Sequence, residues 1–245
     1  LRRSRGLGDV YKRQEQEREA GDQILNVENL AAEADGKTLF SGIDINLAKN
    51  DKVVVYSKDA RAATAFYEIL NGNQQPTAGS FKWGVTTNQS YLPLDNAMYF
   101  DTEDSLVDWL RQYAKTDEER EAVFLRGFLG KMLFSGDEAL KSAKVLSGGE
   151  KVRCMLSRMM MVRANVLMLD EPTNHLDLES ITAFNNSLIK FKGTVLLTTH
   201  DHAFAPSGGN RVVELTPKGG IDRHMTFDEY MLDSKIKELR EKMYA

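Results

Sequence analysis

The sequence is short of cysteine, proline and long apolar runs. Among its 245 residues Cys154 is the one cysteine, which excludes an internal disulfide and makes a reducing cytoplasm the simple expectation. No apolar run approaches the ~18 residues of a membrane-spanning helix, and the arginine-rich N-terminus is not followed by the apolar stretch of a secretory leader. Excess positive charge is also lacking. A formal net charge of −4 excludes a domain that binds nucleic acid over its whole surface, because phosphate contacts need clustered Lys and Arg. A local basic patch stays possible. Hydrophobic residues make up 42% of the chain, enough for a real core. The length suits one large α/β domain or two small ones.

Residues 1–14, LRRSRGLGDVYKRQ, show neither a helical nor a strand period and start without methionine. They are expected to be a non-native, adapter-like tail. The charged residues 15–22 read as the end of a linker. Strand-like runs follow at Ile24–Val27, Ile43–Leu47, Val53–Tyr56, Gly79–Trp83 and Gln89–Leu92, with a helix over Ala62–Leu70 after the third. The middle turns helical. Leu106, Trp109, Leu110 and Tyr113 share a helical face, and Asp117–Phe134 reads as one helical segment. Beyond it come a helix from Gly149 to about Met161, strands at Val166–Asp170, Thr194–Thr199 and Arg211–Leu215, a helix over Glu179–Ile189 and a closing amphipathic helix over Asp233–Tyr244. The continuous apolar strands are those of a parallel sheet covered on both faces.

Two strings carry chemistry. In LSGGEK, Leu146–Lys151, Ser147 and Glu150 have the spacing of a capping box. Gly148 and Gly149 add bare amides at a helix N-terminus, a place that favours anions. In VLMLDEPTNHLD, Val166–Asp177, a buried strand ends in Asp170 and Glu171, where ligands of open α/β sheets sit. Asp170 is of the type that holds Mg2+, and Glu171 of the type that orients and deprotonates an attacking water. His175 has no partner at metal-ligand spacing. His200 follows the strand ending at Thr199, and His202 reads as a surface residue.

Together these strings resemble the ATP-binding cassette (ABC) family. The resemblance makes Leu146–Lys151 the signature and Val166–Asp177 the Walker B strand, catalytic glutamate and D-loop. It implies an α/β fold: a P-loop NTPase of the ABC nucleotide-binding type, with an antiparallel β subdomain and a helical signature subdomain at about 102–148. The ATP-binding domain would span 23–232, with a C-terminal helix over 233–245. The implied cofactors are ATP and Mg2+. Glu171 and His200, the switch histidine, would be catalytic. Thr64 and Asp170 would hold the metal. Asp177 and the signature residues Ser147, Gly148, Gly149 and Glu150 would contact nucleotide across a seam between two cassettes.

The phosphate loop departs from that pattern. A working G-x-x-x-x-G-K-[ST] loop needs glycines for a nest of amides and a lysine for the β- and γ-phosphates. The matching stretch is Ser57, Lys58, Asp59, Ala60, Arg61, Ala62, Ala63, Thr64 and Ala65. Ser57, Ala60 and Ala62 stand at glycine positions, Ala63 at the lysine position, and Thr64 alone matches. An alanine forced into the left-handed region costs roughly 1–2 kcal/mol, and a lost charge-assisted contact about 1.5–3 kcal/mol more. Lys58 and Arg61 are the possible substitutes. The loop is therefore expected to bind nucleotide weakly or not at all. Leu94 stands at the Q-loop position, and no aromatic stands near Ala34-Asp35-Gly36, the usual adenine platform.

The string EPTNHLD and the run LRGFLGKMLFSGDEALK resemble the ABC-F branch, in particular the second cassette of YbiT-like proteins. On that resemblance residues 15–22 end an interdomain linker, a first cassette is missing from this N-terminally truncated chain, and the partners are that cassette and the ribosome, with its rRNA and tRNA. Two alternatives remain: a transporter ATP-binding subunit, or a non-hydrolysing regulatory cassette.

Overall fold

The computed structural model of the chain describes residues 19–134, 136–174, 176–198 and 209–245. The expected tail over 1–14, the first half of 15–22, His175, His200 and His202 lie outside them. Two compact units emerge. One comprises 17–93, 165–172 and 192–245 and holds all the described strands; the other includes 94–164 and 173–191 and is helical.

In the first unit, β1 (Gln23–Ala34), β2 (Lys37–Ala48) and β4 (Ala78–Trp83) form an antiparallel sheet in the order β2-β1-β4. The β1–β2 turn is Asp35-Gly36, with φ of 53° and 71°, the hand that a two-residue hairpin favours. β1 runs well past the apolar stretch Ile24–Val27 because a bulge lets it continue. Asn29 takes φ 47°, its N–H donates to Asp44 Oδ1 at 2.8 Å, and the pairing slips between Val27 and Leu30. Gly79 crosses this bulge so closely that a Cβ would sit 2.2 Å from the Asn29 carbonyl oxygen.

The larger sheet has the order β5-β6-β7-β3-β8-β9. Its strands are β3 (Lys52–Tyr56), β5 (Gln89–Leu92), β6 (Val166–Leu169), β7 (Thr194–Thr198), β8 (Arg211–Thr216) and β9 (Gly219–Arg223). Each neighbouring pair is parallel except β8–β9. β6, β7 and β8 are buried at every residue, which is why their apolar runs do not alternate. Side-chain alternation splits the packing. Val53, Val55, Val213 and Leu215 join Phe66 and Ile69 of helix α1 (Ala60–Leu70) and Leu30, Phe40 and Ile43 of the antiparallel sheet in one core. Val54, Val212 and Ile221 on the other face pack with Phe227 and Tyr230 of α7 (Phe227–Leu232) and Ile236 of α8 (Ser234–Tyr244). β9 and α7 have no counterpart among the sequence expectations, because a Gly-Gly-led strand and a six-residue helix carry too little periodicity to read.

The helical unit holds α2 (Leu106–Arg111), α3 (Asp117–Arg120), α4 (Ala122–Lys131), α5 (Gly148–Val162) and α6 (Leu178–Lys190). The single helical segment expected over Asp117–Phe134 is instead two helices and a turn. Glu121 breaks it with an extended ψ of 134°. Trp109 of α2, 1% exposed, stacks on Phe100 with ring centroids 4.9 Å apart and donates its indole N–H to the Tyr99 carbonyl. Glu119, nearly buried, pairs with Arg163 and accepts the Lys115 N–H, fastening α3 beneath the end of α5. Among the described residues no helix is long and apolar enough to cross a membrane.

Arg211 ties three strands of the first unit together. Its side chain is 7% exposed; it donates to Asp51 Oδ2 at 2.8 Å and to the Asn46 carbonyl of β2 at 2.9 Å, and it grips Asp222 of β9. Arg211→Met leaves the Asp51 carboxylate, 12% exposed, without its charge partner. The expected loss is about 3–5 kcal/mol, read as a lower urea midpoint with an unchanged slope.

Candidate nucleotide site

Asp170 and Glu171 follow β6 at the carboxyl end of the parallel strands. Asp170 is 2% exposed and its carboxylate meets two hydroxyls. Thr64 Oγ1 of α1 donates to Oδ2 at 2.7 Å, and Thr198 Oγ1 of β7 donates to Oδ1 at 2.7 Å. The Asp170 N–H donates to the Leu92 carbonyl of β5 at 3.0 Å. Glu171 turns the chain with φ 48°, a left-handed conformation costing roughly 1–2 kcal/mol for a residue with a Cβ. The Thr198 hydroxyl holds that turn by accepting the Glu171 N–H at 3.0 Å.

Two residues here escaped the sequence reading. Thr198 lies within the strand expected over Thr194–Thr199. Tyr67 lies one turn beyond Thr64, within the helix expected over Ala62–Leu70. Its phenol is fully buried, and burial, followed by the negative charge of Asp170, pushes its pKa well above the ordinary range, so it stays neutral. The signal for Thr198 was a polar residue at the carboxyl end of a buried strand beside the Asp-Glu pair, where side chains converge in open α/β sheets.

The loop between β3 and α1 is built differently from a phosphate nest. None of residues 57–65 has a positive φ, so the strain foreseen for alanines is not incurred, and the alternating backbone that gathers amides around an anion does not form. The amides turn inward. Lys58 N–H donates to the Tyr244 hydroxyl at 3.0 Å and Asp59 N–H to Ser57 Oγ at 3.3 Å. Arg61 N–H donates to Asp59 Oδ1 at 3.1 Å and Ala62 N–H to the Asp59 carbonyl at 3.0 Å. Asp59 thus caps α1, which starts at Ala60.

The side chains of the loop follow suit. Arg61 donates to the Asp59 carboxylate through Nε at 3.0 Å and Nη2 at 2.7 Å. Lys37 Nζ lies 3.5 Å from the same carboxylate, and Lys58 Nζ lies 4.2 Å from the centre of the Tyr244 ring. The hydrogen bond from Arg61 holds the Asp59 carboxyl down to about 2. Its stabilising effect is therefore present above the ordinary carboxylate range and fades as pH falls toward 2. Ala62, at a glycine position, and Ala63, at the lysine position, are buried, whereas Ala60, at another glycine position, is exposed. Thr64 and Asp170 suit Mg2+ by residue type and spacing. The loop before them does not fit the triphosphate that would accompany it.

In the helical unit α5 begins at Gly148. Ser147 Oγ accepts the Glu150 N–H at 3.4 Å, and Glu150 Oε2 accepts the Ser147 N–H at 2.9 Å, completing a capping box. The box spends none of its bonds on the amides of Gly148 and Gly149. Ser147 and Gly148 are exposed, and Gly149 and Glu150 half-buried. The amide of Ser147, then Lys141, keeps the Glu150 carboxyl below its ordinary range. Asp177 is exposed just before α6, its carbonyl accepting the Ile181 N–H at 2.9 Å. Leu94 opens this unit and is 45% exposed.

Thr198→Val removes the acceptor for Glu171 N–H and a donor to Asp170 inside a buried turn. Stability should fall by about 1–3 kcal/mol in chemical denaturation, and Thr198→Ser, which keeps the hydroxyl, should recover most of it.

Comparison with known proteins agrees with this geometry. The family model described as "ABC transporter" matches residues 63–174. The chain is 49% identical over 230 residues to the "Uncharacterized ABC transporter ATP-binding protein YkpA" of Bacillus subtilis, covering 94% of this chain and 42% of that protein. It is 34% identical over 227 residues to the "Probable ATP-binding protein YbiT" of Escherichia coli O157:H7, covering 93% and 42%. To "ABC transporter F family member 5" of Arabidopsis thaliana it is 26% identical, covering 90% and 32%. It spans less than half the length of each of these relatives. Among solved structures, a bacterial Atm1-family ABC exporter with ATP bound superposes with a TM-score of 0.70 at 14% identity, covering 94% of this chain and 44% of that one. ABC cassettes bind ATP, typically with Mg2+, and work in pairs. The chain has the ABC-type P-loop NTPase nucleotide-binding fold, and its residues 63–174 match the ABC transporter model.

Proposed function

We propose that the chain is one cassette of a two-cassette ABC-F-type ATPase and acts as the donor of a signature helix to its partner. The observation that carries this is the exposed Ser147-Gly148 tip of α5, in a chain whose own loop engages its amides internally. A helix N-terminus presented to a facing γ-phosphate stabilises the charge that develops there. Ser147, Gly148, Gly149 and Glu150 would complete a site on the partner's phosphate loop, with Asp177 at the seam. Glu171 and His200 would belong to this chain's own half-site, which turns over little or no ATP. The length of the relatives supports a second cassette within the same natural chain. The F-family name of one relative and the EPTNHLD string support a cytoplasmic protein that couples ATP to translation on the ribosome.

In the two-cassette protein, Ser147→Arg should lower ATP turnover about a hundredfold, whereas Thr64→Ala should leave most of it. The chain should co-sediment with ribosomes and not with lipid vesicles. Turnover that is lost with Thr64→Ala and retained with Ser147→Arg would reverse the assignment of the two half-sites. Vesicle binding without ribosome binding would favour a transporter subunit.

A further inference from the structure

The C-terminal helix reaches the loop after β3, and it does so through a buried charge. Glu214 of β8 is fully buried and pairs in register with Tyr56, the last residue of β3. Its carboxylate accepts the Tyr230 hydroxyl at 2.6 Å and pairs with Arg240 Nε of α8 at 2.7 Å. Arg240 in turn lies over the Tyr56 ring, 5.2 Å from its centre. One helical turn on, Tyr244 donates its hydroxyl to the Leu215 carbonyl at 3.1 Å and accepts the Lys58 N–H. These contacts fix α8 to the sheet and set one phenol against the Lys58 amide of the loop.

We propose that α8 is a latch that keeps this loop closed to phosphate, with the Tyr244 hydroxyl on the Lys58 amide and the Asp59 carboxylate as a built-in anion at the start of α1. The proposal rests on reading residues 57–65 as the counterpart of a phosphate loop. Lack of room is not what closes it. A cavity of about 290 Å3 borders Lys37, Lys58, Asp59 and Tyr244, wide enough for an incoming anion. The donors are what is missing: the amides of Lys58, Asp59, Arg61 and Ala62 are all engaged. The three nearby cations are turned onto Asp59 or the Tyr244 ring. A phosphate entering here must displace a carboxylate that is covalently part of the loop, and so present at a high effective concentration.

The test is Mg-ATP binding to the whole chain by calorimetry, in the parent, Asp59→Asn, Tyr244→Phe and the pair, with circular dichroism as a check on folding. Asp59→Asn keeps a cap and releases Arg61 and Lys37. Tyr244→Phe keeps the ring and frees the Lys58 amide. The parent should show no binding that Thr64→Ala removes. The paired variant should gain such binding, tighter by about tenfold or more than any residual Mg-ATP binding by the parent, and Asp59→Asn alone should show part of it. Thr64-dependent binding by the parent overturns the latch. So does a folded variant as silent as the parent, because the missing glycines and lysine alone would then account for closure. A folded but silent variant leaves the signature-donor reading intact, and that reading is tested separately by the turnover of Ser147→Arg in the two-cassette protein.

Discussion

The carboxylate of Asp170 is the fastening on which the sheet-bearing unit converges. It takes one hydroxyl from α1 and one from β7, while the backbone amide of Asp170 reaches β5, so four elements meet at one residue that is 2% exposed. Buried carboxylates are tolerated when their lone pairs are met, and here two threonines meet them. This gives Asp170 a structural reason to be present whether or not a metal ever binds. The proposed half-site, with its altered loop, can therefore keep its acidic pair without contradiction. Without Asp170, Thr64 and Thr198 would be left as buried hydroxyls, and Thr198 would lose part of what aims it at the Glu171 turn.

The chain uses the same physical element, a helix N-terminus, in two opposite ways. At α1 the end is consumed: Asp59 supplies a negative charge, and Arg61, Lys37 and Tyr244 keep that charge and its neighbouring amide occupied. At α5 the capping box uses the amides of Ser147 and Glu150 and leaves those of an exposed Gly148 and a half-buried Gly149. Helix dipoles alone do not distinguish the two. Both ends carry a carboxylate of the chain, Asp59 and Glu150. What separates them is that Glu150 takes the Ser147 amide and its box leaves those of Gly148 and Gly149 unused, whereas around Asp59 the amides of Lys58, Asp59, Arg61 and Ala62 are engaged. The proposed division of labour between this cassette and a partner follows from that difference.

Much of this was readable where chemistry is written in contiguous residues. The Ser147–Glu150 box, the β6 strand with its Asp-Glu terminus and the altered 57–65 loop are local strings, and local strings fix local geometry. The parallel strands were visible because burial on both faces forces unbroken apolar runs such as Val53–Val55 and Val166–Leu169. Asp35-Gly36 is a hairpin dipeptide by its chemistry, and it joins β1 to β2. Other features depend on distant partners. Tyr244 reads as the end of an amphipathic helix, yet its hydroxyl meets Lys58 across 186 positions. Thr198 acquires a role only when β6 and β7 lie side by side. The break at Glu121 was hidden because Leu125 and Leu129 continue the apolar spacing on its C-terminal side.

The account stands on where the loop amides point. Amide hydrogen exchange across Ser57–Ala65, with and without saturating Mg-ATP, measures this most directly. The account predicts slowed exchange at Lys58, Arg61 and Ala62 without nucleotide and no change when it is added. Fast exchange in the free chain that slows sharply with Mg-ATP would contradict it, because the loop would then be an open phosphate site.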